Sequence, residues 1–280
     1  MSKTVMITGV DGYIGTALKN WLQKKEYKVV GIDTRKVRPE NIDMSGCDAI
    51  VHVAGIAHQK ETKENAHQYY EVNRDYAVKT AIKAKKSGVG QFIVLSTMSV
   101  YGKNTGRITK QTTPAPNTHY GKSKYQADFR FERLKSDRFK VCILRPPMVY
   151  GNGCKGNYQT LRKLALLTPV FPAWKNHRSM VYIDNLCNFI EILIKEEKSG
   201  LFFPQNQEYV CTADMVRRIA KENGKNVRLL KVLNPFVRIP FLPHRDKVFG
   251  SLIYDCEEDR CQAVEKFEDT IRETEHVSAK

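Results

Sequence analysis

The chain has 280 residues, enough for one large α/β domain or such a domain with a small appendage. Its hydrophobic fraction of 41% suits a globular protein and excludes wholesale disorder. The net charge of +16 admits nucleic acid, an anionic membrane surface or anionic substrates, but Lys and Arg are spread along the chain with no nucleic-acid module signature. It is read as a basic, solvated surface, and no nucleic-acid partner is expected.

In chain order, TVMITG (4–9) predicts a first strand, and Ile14, Ala17, Leu18, Trp21 and Leu22 then recur at helical spacing. KVVGID (28–33) and AIVHVAG (49–55) predict the second and third strands. A helix is expected over about 66–86, strand QFIVLST over 91–97, a helix from Tyr120 to about Leu134, and strand KVCILRP over 140–146. MVYID (180–184) is a late strand, followed by helix NLCNFIEILIKEE. Beyond Gly200 come a short strand and a helix, then the Pro-rich NPFVRIPFLPHRDKVFGSL, which lacks clean periodicity. Residues 153–178 are similarly irregular, and the end after Thr270 is expected to fray.

Short strands alternating with longer amphipathic stretches predict a Rossmann-like, doubly wound parallel sheet. The expected division is a dinucleotide-binding domain over 1–152 and 179–200, with a smaller substrate lobe from 153–178 and 201–280. No apolar run approaches the roughly 18 residues of a membrane helix, and the N-terminus does not read as a signal peptide. A cytoplasmic location is expected. The seven cysteines are scattered without a CxxC pair, so neither a metal site nor a disulfide framework is predicted.

Gly9-Val10-Asp11-Gly12-Tyr13-Ile14-Gly15 follows the first strand and opens a helix. Glycines there let the backbone turn tightly and approach a pyrophosphate at the helix N-terminus. Asp33 ends the second strand, where a carboxylate accepts from adenosine ribose hydroxyls and repels a 2′-phosphate, which favours NAD. Arg35 could pair a 2′-phosphate, so NADP stays open. Tyr120 and Lys124 lie four apart on one helix face. An ammonium beside a phenol favours the phenolate and makes the tyrosine a usable acid–base group. Ser96, Thr97 and Ser99 place hydroxyls at the end of the 91–97 strand, the side on which such sheets bind ligands.

These segments, together with DAIVHVAG, ILRPPMVYGNG and RSMVYIDN, resemble the extended short-chain dehydrogenase/reductases, the NAD-dependent epimerase/dehydratase family typified by UDP-galactose 4-epimerase. The resemblance runs almost continuously over residues 1–190. It implies that Tyr120 is the acid–base catalyst, that Lys124 holds the nicotinamide ribose and lowers the tyrosine pKa, and that Thr97 is the catalytic hydroxyl. It sets His52, Ala54, Gly55, Asn73, Ser96 and Pro147 along the cofactor, although His52 reads equally as a buried core histidine. Thr97, Ser99 and Tyr120 would meet the sugar, and Asn157 and Arg178 would hold the diphosphate of a nucleotide-sugar.

Two departures from the family stand out. Only fourteen residues separate Asp33 from Asp48, where the family has a further strand and helix. Met98 and Ser99 replace the Asp-Glu that the family's dehydratases carry, so dehydration is not expected. Hydride chemistry at a sugar carbon remains: epimerisation at C4 of a UDP-sugar is the expectation, with a 4-ketoreductase or a non-catalytic dinucleotide-binding regulator as alternatives. A homodimer is expected through the 66–86 and 120–134 helices, which carry Tyr69, Tyr76, Phe129 and Phe131 beyond the needs of one apolar face.

Overall fold

The computed structural model describes residues 2–57, 59–239 and 245–276, and divides them into two compact units. The first comprises residues up to Gly102, Thr113–Pro146 and Leu186–Pro204. Its centre is a parallel sheet of β1 (Thr4–Thr8), β2 (Lys28–Ile32), β3 (Ala49–His52), β4 (Gln91–Leu95), β5 (Lys140–Leu144) and β6 (Gly200–Phe202). The spatial order is β6-β5-β4-β3-β1-β2. Helices on both faces bury the central strands twice over, which is why they read as unbroken apolar runs. Val5, Met6, Ile7, Ile50, Val51, Phe92, Ile93 and Val141 are fully buried.

The chain runs outward from β1 to β2 and then returns to place β3 on the other side of β1. That reversal opens a crevice at the C-terminal ends of β1 and β3. Between β2 and β3 there is only a 3₁₀ turn, Pro39–Asn41. Ile42 and Met44 of this loop are buried and join the core cluster beside Ala77, Ala81 and Ala84. A loop with two anchoring apolar side chains thus covers the sheet where a further strand and helix would otherwise lie.

Helix α1 (Tyr13–Lys24) buries Gly15, Leu18 and Leu22. The predicted 66–86 helix is interrupted. It consists of α2 (Ala66–Tyr70), a π-helical turn over Glu71–Tyr76, and α3 (Ala77–Lys86). Helix α4 (His119–Glu132) is unusual in what it buries: Lys124 and Asp128 lie inward beside Ala127 and Phe131. Buried charges on a core-facing stripe mark a site rather than packing. Helix α5 (Ile183–Lys195) is tied to α1, where Glu191 accepts from the Trp21 indole N–H at 2.7 Å.

The second unit comprises Lys103–Thr112, Pro147–Asn185 and the described residues from Gln205 on. It holds three two-stranded parallel ribbons, pairing Met148–Tyr150 with Met180–Tyr182, Gly106–Ile108 with Leu252–Tyr254, and Val170–Pro172 with Arg228–Leu230. The bounds of this unit differ from the expected ones. Met180–Tyr182 belongs to this unit because its partner is Met148–Tyr150, and the helix after it begins at Ile183. Residues 153–178 contain a regular helix, Asn157–Leu167, with Tyr158, Leu161 and Ala165 buried. The expected fraying after Thr270 is not seen up to His276. Helix Phe267–Glu275 buries Ile271, and Glu273 and Glu275 accept hydrogen bonds from the Tyr182 and Tyr158 hydroxyls at 2.7 and 2.6 Å.

Candidate active site

The glycine turn joins β1 to α1. Gly9 adopts φ +86°, and a Cβ there would lie 2.7 Å from the Ala54 backbone. A Cβ on Gly15 would lie 2.2 Å from the Gly9 carbonyl oxygen. These positions therefore tolerate only glycine, and the turn is pulled tight against Ala54 and the start of α1. Gly12 sits at the N-cap and no side chain caps the helix there. Its first-turn N–H groups and dipole suit a diphosphate. Tyr13 and Ile14 are half-buried at the start of α1, and Asp11 is exposed. This cradle fits a dinucleotide.

Asp33 lies just past β2. Its carboxylate accepts from the Arg35 Nε at 2.9 Å, the Arg35 Nη2 at 3.0 Å and the Arg35 backbone N–H at 3.1 Å. These bonds hold its pKa down at about 2. The second Arg35 contact, to Asp11, is longer at 3.4 Å. Arg35 is thus clamped onto Asp33.

Tyr120 and Lys124 stand on α4. The Thr97 hydroxyl accepts from the Ser99 N–H at 3.1 Å and hydrogen-bonds the Tyr120 phenol. The Glu61 carboxylate accepts from the backbone N–H groups of His119 and Tyr120, both at 2.9 Å, and Thr118 caps Gly121 at 3.0 Å. The tyrosine is therefore fixed from its backbone as well as its hydroxyl. Burial raises the phenol pKa, Thr97 lowers it, and Asp128 and Tyr69 raise it further.

Lys124 is buried, and its Nζ donates to the Leu95 carbonyl at 2.8 Å. It also lies beside Gly55, where a Cβ would be 3.1 Å from Nζ. Burial pulls the ammonium down to about 8, against Asp128, which raises it. Burial dominates the phenol, and the ammonium is held by the strand-end carbonyl of Leu95.

Three predicted cofactor residues also make hydrogen bonds within the chain. His52 is fully buried, with Nδ1 2.7 Å from the Thr8 hydroxyl and its ring stacked against Tyr76 and Phe92. Burial takes its pKa down to about 3, so it is neutral. Asn73 lies in the π turn. Its Oδ1 accepts from the Ile56 N–H at 2.8 Å and its Nδ2 donates to the Ile56 carbonyl at 3.0 Å, which ties down the loop carrying Ala54 and Gly55. Such turns place single side chains where a regular helix would not. Ser96 donates to Asp128 at 2.8 Å. Asp128 also accepts from the Arg145 Nε at 3.0 Å, and Arg145 donates to the Tyr101 hydroxyl at 2.8 Å. This buried cluster behind Lys124 was not predicted, nor was Glu61. Asp128 does carry a signal, being four residues past Lys124 on the same face.

Pro147 is buried and Ser99 is exposed. In the second unit, Asn157 is exposed at the first position of its helix. Arg178 is half-buried and donates from Nη1 to the Gly250 carbonyl at 2.8 Å, and burial lowers its pKa. Among the described residues, no group of three His, Cys, Asp or Glu is placed to hold a metal, and no helix is long and apolar enough to cross a membrane.

Fold and site together define a dinucleotide-dependent enzyme of the extended short-chain dehydrogenase/reductase type. Residues 5–202 match the model of the NAD dependent epimerase/dehydratase family, and the chain belongs to that family, with NAD as its cofactor. It is 31% identical to the UDP-glucose 4-epimerase of Vibrio cholerae over 248 residues, covering 79% of this chain and 76% of that protein. It is 27% identical to the N-acetyl-alpha-D-glucosaminyl-diphospho-ditrans,octacis-undecaprenol 4-epimerase of Escherichia coli O157:H7, covering 71% and 66%. In fold it is similar to the UDP-glucuronic acid 4-epimerase of Bacillus cereus in complex with NAD, with TM-score 0.74 at 18% identity over 96% and 94% of the two chains.

Proposed function

We propose that the protein interconverts C4 epimers of a hexose carried on a diphosphate, with a nucleotide-sugar as substrate. The observation that carries this reading is the Thr97–Tyr120 hydrogen bond at the end of β4, with Lys124 one helical turn on beside Gly55. The relatives from Vibrio cholerae and Escherichia coli support it, since both are named as 4-epimerases of diphosphate-linked sugars.

NAD supplies a reversible hydride acceptor. The remaining chemistry falls to the chain. Tyr120 takes the proton of the sugar hydroxyl as the carbon is oxidised and returns it on reduction. Tyr120 therefore enters the oxidation step as the phenolate, a state that burial opposes and the Thr97 hydroxyl favours, and is the neutral phenol while the keto sugar is present. Lys124 holds its remaining N–H donors toward the Gly55 strand end, where a ribose hydroxyl can accept them. The glycine turn and α1 receive the cofactor diphosphate, and Asp33 receives the adenosine ribose. Asn157 and Arg178 hold the substrate diphosphate.

The test is incubation with UDP-glucose, UDP-N-acetylglucosamine and their 4-epimers without added cofactor. Interconversion of a pair with no lasting absorbance in the NADH band is the expected result. Failure with every pair, together with stoichiometric NAD(P)H consumption on a 4-keto sugar nucleotide, would assign a reductase.

The protein is also read as a cytoplasmic homodimer. The basis for the dimer is narrower than the sequence suggested. Tyr69 and Phe131 are buried within one chain, and Tyr76 donates its hydroxyl to the Val37 carbonyl at 2.8 Å. Ile82 on α3 and Phe129 on α4 remain exposed and are the pair available for a helix-to-helix contact. A monomer in sedimentation at micromolar concentration would exclude it.

A further inference from the structure

The sequence carries no Asp or Glu from Asn223 to Ile239, where Lys225, Arg228, Lys231 and Arg238 lie, nor from Lys163 to Ile183. The second unit joins these two acid-free stretches into one surface. Strand Val170–Pro172 pairs with Arg228–Leu230, Val170 opposite Arg228. The Ala173 N–H donates to the Leu230 carbonyl at 3.2 Å, and the Lys225 ammonium donates to the Leu166 carbonyl at 2.6 Å.

This surface is apolar on its outer side. Paired residues of neighbouring strands share a face, so Val170 and Arg228 point outward together while Phe171 points inward and is buried. Past the strand, an apolar stripe of Val232, Pro235, Phe236 and Ile239 runs along the 3₁₀ turn Lys231–Leu233, the short helix Asn234–Val237 and the irregular residues just beyond it. That stripe faces water, with Val232 73% exposed, Phe236 58% and Ile239 46%, while Val237 is buried. Leu167, 82% exposed, adds a further apolar side chain on the joined stretch. Single exposed apolar residues need no explanation. Here, of the eight large apolar side chains exposed among the described residues, five fall on these two joined stretches, interleaved with basic residues and no acidic ones.

We infer that this face docks onto an anionic lipid bilayer. Val232, Phe236 and Ile239 would enter the acyl boundary, and Arg228, Lys231 and Arg238 would meet the headgroup phosphates. A second copy of the chain would set like charges against each other. A nucleic acid would match the charge and leave the apolar stripe in water. The high net charge then has a local use, in addition to its general effect on solubility. The inference does not depend on the 4-epimerase reading, because none of these side chains belongs to the site described above.

The test is flotation of the full-length protein with vesicles of phosphatidylcholine alone and of phosphatidylcholine mixed equally with phosphatidylglycerol. Binding is expected to the mixed vesicles only, and to weaken as salt shortens the Debye length below about 8 Å. Each basic residue near such a surface is worth about a 5-fold change in partitioning, so Lys231→Gln with Arg238→Gln should weaken binding roughly 30-fold. Val232→Ser with Phe236→Ser should weaken it independently. Both variants should keep the wild-type circular dichroism and the wild-type turnover of a water-soluble nucleotide-sugar. Absence of binding to mixed vesicles would overturn the proposal, as would equal binding by wild type and variants. A fall in sedimentation coefficient with the apolar variant would assign the face to a second copy instead.

Discussion

Asp128→Asn would set two opposing effects against each other in the cluster behind Lys124. Removing one partner of a buried ion pair commonly costs about 3–5 kcal/mol, because the other charge is left uncompensated. Asp128 is 2% exposed and faces Arg145, Ser96 and Lys124. Burial nevertheless raises its pKa from 3.8 to about 6, so desolvation outweighs those attractions. Between about pH 4 and pH 6 the folded chain keeps a proton that the unfolded chain has lost. Stability from this group is therefore present at low pH and is lost as pH rises through the folded pKa. The displacement corresponds to about 3 kcal/mol. Asparagine keeps the shape without the charge, so the substitution should leave stability at neutral pH unchanged or raise it by up to about 3 kcal/mol. The gain should vanish below about pH 4, where the wild-type carboxyl is protonated in both states. Activity should move the other way. Asp128 is the group that raises the Lys124 pKa against burial. Without it the ammonium loses its proton at lower pH, and the alkaline limb of kcat/KM should shift down from its wild-type position. Urea unfolding at two pH values and a pH–rate profile check both halves. A loss of several kcal/mol at neutral pH with an unmoved alkaline limb would refute the reasoning, since Arg145 would then have outweighed burial.

Tyr120→Phe should lower turnover by about 10²-fold or more while NAD affinity, measured by titration, stays near wild type; turnover near wild type would remove Tyr120 from the acid–base role. Gly15→Ala places a methyl 2.2 Å from the Gly9 carbonyl oxygen, a backbone atom with little room to move. It should cost about 1–3 kcal/mol of stability in urea and abolish tight NAD binding. Arg35→Ala removes both guanidinium bonds to Asp33 and leaves the backbone N–H of residue 35 on Oδ1, which opens the carboxylate to ribose hydroxyls. NAD binding should tighten and NADP binding weaken, and unchanged NADP affinity would show that Arg35 does not meet a 2′-phosphate.

The parts of the fold legible in the sequence are those where one local pattern decides. Strands β1, β3, β4 and β5 are buried on both faces, so their apolar runs need no partner to be recognised, while β2 at the sheet edge is only partly buried. The glycine turn is legible because backbone geometry excludes every other residue at Gly9 and Gly15. Elements of the second unit were harder because their cues are split over distance. Met180–Tyr182 looks like a core strand, and only pairing with Met148–Tyr150 removes it from the main sheet. Helix Asn157–Leu167 buries just Tyr158, Leu161 and Ala165, and its flanking Gly and Pro residues resemble a loop. Helix Phe267–Glu275 has a charged outer face, and long-range bonds from Tyr158 and Arg162 to Glu275 hold its end in place.

The same division runs through the site. Residues that belong to a motif can be named from the motif, as Tyr120 and Lys124 are. Residues that act through another residue depend on contacts between distant segments. Glu61 has no periodic neighbours, yet it accepts both backbone donors that open α4 and so fixes where Tyr120 begins its turn. Asn73 matches the family pattern, and from the π turn it bonds both backbone groups of Ile56 while its Oδ1 lies against Gly55 beside Lys124. Its two bonds to Ile56 hold the Gly55 backbone within reach of Lys124. His52 reads alike as a cofactor ligand and as a core residue, and what separates the two is the Thr8 hydroxyl across β1 and β3. The functional core is therefore a short motif-bearing layer held in register by a second layer whose members become visible only once the sheet has brought β1, β3, β4 and α4 together.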